Sequence, residues 1–83
     1  MNVKSEIAKL EKVVESLQEK LDSLQEKIED REERFFDKSE KWQESTAGND
    51  YKEKTSKFED EHQEIDAVKD EIEAAIETLR EYL

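Results

Sequence analysis

The chain is 83 residues long, 33% hydrophobic and 47% charged, with a formal net charge of −11. That is length enough for one domain, but its apolar residues suffice only for a single stripe along a helix, not for a broad core. The charge argues against direct binding to nucleic acid or to an anionic membrane, which both attract clustered Lys and Arg, and leaves a basic protein as the admissible charged partner.

A first helix is expected over residues 3–44. Val3, Ile7, Leu10, Val14, Leu17, Leu21, Leu24 and Ile28 alternate in steps of four and three, and Phe35 and Trp42 continue the phase. That spacing keeps one face of a helix against a partner. Asn2 is placed to cap the helix. Residues 16–29 write one heptad twice, Ser-Leu-Gln-Glu-Lys-Leu-Asp and then Ser-Leu-Gln-Glu-Lys-Ile-Glu. No proline interrupts the chain, and its one glycine, Gly48, falls in the segment 45–50. A turn is expected there. Gly48 can supply the left-handed conformation that ends a helix, and Asp50 with Glu53 has the spacing of a capping box. A second helix follows over 51–83, with Tyr51, Phe58, Ile65, Ile72 and Leu79 recurring every seven residues.

Folded about residues 45–50, the two seams come into a register whose paired positions sum to 93. Trp42 then meets Tyr51, Phe35 meets Phe58, Ile28 meets Ile65, Leu21 meets Ile72, Leu17 meets Ile76, Val14 meets Leu79 and Leu10 meets Leu83. The remaining layers, Lys38–Thr55, Arg31–His62 and Leu24–Lys69, contain polar residues. The fold class is therefore all-α, a single-domain two-helix antiparallel coiled-coil hairpin over residues 1–83. One stripe is a small core for a chain of this size, and this register leaves apolar residues over. Val3 and Ile7 overhang the end of the second helix. Val13, Val68, Ala75 and Tyr82 widen the stripe along one edge. These six residues form the candidate self-association surface, and a homodimer that makes a four-helix bundle is the expected assembly.

The second helix carries a further pattern. Between Glu59 and Glu81 there are ten acids and two bases. Asp66, Asp70, Glu73, Glu77 and Glu81 step by four, three, four and four, which puts them on one face. Like charges at that spacing weaken a helix by a few tenths of a kcal/mol per pair. These five residues are the candidate face for a basic partner, with a carboxylate spacing along the helix near that of backbone phosphates.

No constellation for catalysis, cofactor or metal is expected. The single histidine, His62, has the Glu59-x-x-His62 spacing of carboxylate-bridged metal sites, but the register above sets Arg31 opposite it, which would repel a cation. There is no cysteine and no glycine-rich phosphate loop, so thiol chemistry and phosphate cradling are absent. A polar N-terminal segment and the lack of a long apolar run point to a cytoplasmic protein. No family motif spans the chain. Small substrates of the mycobacterial-type secretion system carry Trp-x-Gly at the turn, whereas Trp42 is followed by Gln43 and Glu44. Type III secretion needle subunits have a proline-flanked turn, and the plasmid copy-control hairpin binds RNA, which a charge of −11 opposes. The function expected is a non-enzymatic scaffold, adaptor or regulator acting through helix faces. The alternatives are an acidic inhibitor of a nucleic-acid-binding protein, of the kind phages and plasmids encode, and a secreted helical-hairpin assembly subunit.

Overall fold

Three helices, α1 (Val3–Phe36), α2 (Glu40–Gln43) and α3 (Thr46–Arg80), make up the fold in a computed structural model that describes residues 2–83. Helices of 34 and 35 residues are each about 50 Å long. The molecule measures 60 × 15 × 14 Å, which is one long helix in length and two in width. α1 and α3 lie side by side and antiparallel, and α2 is a single turn that packs at the tip against the start of α3. Among the described residues no helix is long and apolar enough to cross a membrane.

α1 begins as expected. Asn2 is extended, and its side-chain oxygen accepts the Ser5 N–H at 3.4 Å, which satisfies one of the unpaired donors of the first turn. The heptad face then enters the seam, with Ile7, Leu21, Leu24, Ile28 and Phe35 buried. From α3 come Ile76 and Thr55, buried, and Phe58, Ile65, Ile72 and Leu79, half-buried. No large side chain among the described residues falls below 2% exposure. A seam between two helices covers each side chain from one side only, so burial stays incomplete.

The turn differs from expectation in place and in chemistry. α1 ends at Phe36 rather than near residue 44, with Asp37 as its C-cap. Ser39 is extended and its hydroxyl accepts the Trp42 N–H at 3.3 Å, which starts α2. Ser45 is extended in the same way and accepts the Gly48 N–H at 3.2 Å, which starts α3 at Thr46, ahead of the expected Tyr51. Two serines that hydrogen-bond forward to backbone N–H groups thus break a run that the heptad pattern alone would continue. Asp50, expected as a cap, lies inside α3, and α3 ends at Arg80 rather than at residue 83. Gly48 is not a left-handed cap either, since no residue described has positive φ. It sits in the first turn of α3, pressed against the end of α2. A Cβ there would stand 2.5 Å from the Gln43 carbonyl oxygen and closer still to that of Trp42. The glycine serves close backbone approach.

The register moves with the turn. Arg31, expected opposite His62, donates instead to Thr55. Phe35, expected opposite Phe58, stacks with Tyr51 at 6.4 Å between ring centroids. Each partner lies seven residues nearer the turn, a displacement of one heptad. Such a slide returns every seam position to the same face, so the periodicity that predicts the hairpin does not distinguish the two registers. Burial does. In the observed register Ile7 stands at the level of Leu79 and is only 5% exposed, and Val3 is half-buried. The overhang expected at Val3 and Ile7 is absent. The expected contact of Trp42 with Tyr51 is made, at 5.8 Å, but from α2 rather than from a longer α1.

Candidate functional site

The two edges of the seam are chemically different, and the tip is different again. On one edge Lys20 of α1 reaches Glu61 of α3 across the groove, at 4.0 Å. One heptad farther from the tip, the same edge carries Val13 on α1 and Val68 on α3. They remain 43% and 46% exposed. Ala75 follows on α3 after another heptad and is exposed. Tyr82, 76% exposed, lies past the end of α3. Of the six residues expected to mediate self-association, the structure therefore strings Val13, Val68 and Ala75 along one edge and puts Tyr82 at its end. It takes Ile7 and part of Val3 into the seam instead.

The opposite edge is acidic. Asp66, Asp70, Glu73, Glu77 and Glu81 are all exposed. Asp70, Glu73 and Glu77 line a groove together with Glu11 and Glu15 of α1, over a floor that includes Val14, Ala74 and Ile76. Asp66 lies one turn nearer the tip, and Glu81 is the C-cap of α3. Part of the charge is answered within the helix. Lys69 reaches Glu73 at 3.5 Å and Arg80 reaches Glu77 at 2.8 Å. Pairs this exposed contribute little to stability. Their effect is to orient two of the carboxylates and to leave Asp66, Asp70 and Glu81 without an ion-pair partner among the described residues. The contribution of Glu11 and Glu15 was not legible from sequence. Their four-residue spacing was visible, but which part of α3 they face depends on the register.

At the tip, Arg31 is held at a seam position of α1. Its Nε–H donates to Thr55 Oγ1 at 2.9 Å and its Nη2 donates to the Tyr51 carbonyl at 3.1 Å. Its guanidinium lies over the Tyr51 ring, 3.9 Å from the centroid. The Thr55 hydroxyl in turn donates to the same Tyr51 carbonyl, at 3.0 Å. Phe35, Trp42 and Tyr51 close a triangle of rings with centroids 5.8 to 6.4 Å apart. Phe36 stands outside it, 72% exposed, at the rim of a cleft of about 410 Å³ that Arg31 and Lys52 also line. His62, expected opposite Arg31, is half-buried farther along the seam. Among the described residues no three His, Asp or Glu side chains gather as they would around a metal ion. The arrangement offers surfaces for binding: an apolar edge, an acidic groove and an aromatic tip.

No protein-family model matches the chain, and no curated protein and no solved structure shows significant similarity to it.

Proposed function

We propose that this chain is a non-enzymatic interaction module, a helical hairpin that pairs with a second copy along its Val13–Val68 edge to make a four-helix bundle. The observation that carries the reading is the exposure of these two valines, 43% and 46%, on one edge of a seam that encloses no large side chain fully. A second copy laid against that edge would cover Val13, Val68 and Ala75 and give the seam its missing layer. Lys20 and Glu61 on the same edge would set the alignment of the pair. Sedimentation over a concentration series tests it. Wild type is expected to form a dimer, and Val13→Glu with Val68→Glu to sediment as a helical monomer. A wild-type chain that stays monomeric at high concentration would sink the reading.

The acidic groove supports a second reading, in which the hairpin captures a basic protein and inhibits a nucleic-acid-binding partner. Its support is that carboxylates from both helices, Glu11 and Glu15 with Asp70, Glu73 and Glu77, line one groove. Changing Asp70 to Asn and Glu73 and Glu77 to Gln should release any basic protein retained from the source cell, and added DNA should compete for that protein. If the neutralised variant retains the same protein, the groove is not its binding site.

A further inference from the structure

We propose that the hairpin has a second register, one heptad from the one observed, and that the tip closed around Gly48 is what holds it in the first. The seam itself permits the slide. Residues 16–29 are a heptad written twice, so Ile28 takes the place of Leu21 against α3 with little change in shape. Ile65 stands at the level of Leu21 in the observed register and of Ile28 in the other. Ile72 stands at the level of Val14 or of Leu21. Ile65, Lys69 and Ile72 each face an aliphatic residue in both registers, His62 alone passing from Leu24 to Arg31, and a seam that repeats itself in this way specifies register weakly.

The ends distinguish the two states. In the observed register Arg31 bonds Thr55 and the Tyr51 carbonyl, and Ile7 is covered. After the slide Arg31 faces His62, Val3 and Ile7 run past the end of α3, Phe35 passes from Tyr51 to Phe58, and Trp42 enters a seam lengthened at the tip. Little in the backbone forbids that lengthening. Asp37 and Glu44 already have right-handed helical dihedrals, as does the turn of helix from Glu40 to Gln43 between them. Ser39 is the extended residue that interrupts them. Neither proline nor positive φ fixes the break.

What fixes it is the contact of Gly48 with the end of α2. The atoms that a Cβ at position 48 would meet are backbone carbonyls of Trp42 and Gln43, which cannot swing aside as a side chain can. In the second register α1 runs on through this region and Gly48 falls in the connecting loop, where an added methyl meets no such wall. Gly48→Ala therefore penalises the first register selectively, because the clash with two backbone carbonyls outweighs the gain in helix propensity that the methyl brings inside α3. The slide would release Val3 and Ile7 as an apolar end available to a second copy. That consequence rests on the self-association reading above, whereas the register itself does not.

Disulfide trapping tests the proposal, because the chain has no cysteine of its own. Leu21→Cys with Ile65→Cys reports the observed register, and Leu21→Cys with Ile72→Cys reports the second. Both pairs are oxidised in a glutathione buffer, with helicity followed by circular dichroism and intramolecular closure read on monomer fractions. In the parent chain the 21–65 pair should close at least tenfold faster. With Gly48→Ala the order should reverse. Replacing both Ser39 and Ser45 with Ala, which loosens the tip without a steric clash, should move the ratio in the same direction. If 21–65 remains the faster pair in both tip variants, or if neither pair closes in either, the proposal is overturned.

Discussion

Arg31 joins the two long helices at the tip, from a seam position of α1. In the structure its fork serves two acceptors and its flat face covers the Tyr51 ring. Lysine can reproduce the charge but neither the fork nor the stacking. Arg31→Met should destabilise the hairpin by about 1–3 kcal/mol, since Thr55 and the Tyr51 carbonyl lose a charged donor. Arg31→Lys should recover only part of that. Urea unfolding with a shared slope would measure both, and equal stability of Lys and Arg at position 31 would refute the role assigned to the fork.

At the scale of elements, the two long helices and their antiparallel pairing could be read from the apolar spacing, and the tip could not. Heptads at Val3 through Ile28 and at Phe58 through Leu79 state which faces meet. They are silent about a slide of one heptad, because the slide preserves those faces. The break after Phe36 is made by Ser39 and Ser45, each with an extended backbone and a hydroxyl turned forward to an N–H. Serine signals a cap only where an alternative to helix is also available, and here the aromatic triangle supplies it by covering the tip. Gly48 drew attention to the right region for a different reason from the one that operates. Ser45→Ala removes the cap that starts α3 and should cost about 1 kcal/mol. For a chain of this length that lowers Tm by roughly 4–8 °C. Ser56→Ala, at an exposed position inside α3, should leave Tm unchanged or raise it slightly, and a comparable loss there would show that the effect is not one of capping.

Over the whole molecule, charge is distributed unevenly. Residues 31–57, which surround the tip, carry seven cations and seven anions, so the net charge of −11 belongs entirely to the stem. Stem carboxylates repel one another along α3 and across the groove to Glu11 and Glu15, and salt screens exposed charges on a scale of about 10 Å at 0.1 M. Thermal stability should therefore rise with added sodium chloride. The neutralised triple variant at Asp70, Glu73 and Glu77 should start higher and respond less. A wild-type Tm that falls with salt would mean that ion pairs such as Lys20–Glu61 outweigh the repulsion. The facing of Glu11 and Glu15 onto Asp70, Glu73 and Glu77 and the buried state of Ile7 both follow from one register, and the fold rests on that register. Nuclear Overhauser contacts between assigned side chains on the two helices test it most directly. Contacts of the Phe35 ring with Tyr51, and of Ile7 with Leu79, are expected in the wild-type chain. Contacts of Phe35 with Phe58 and of Val14 with Leu79 in their place would contradict that register.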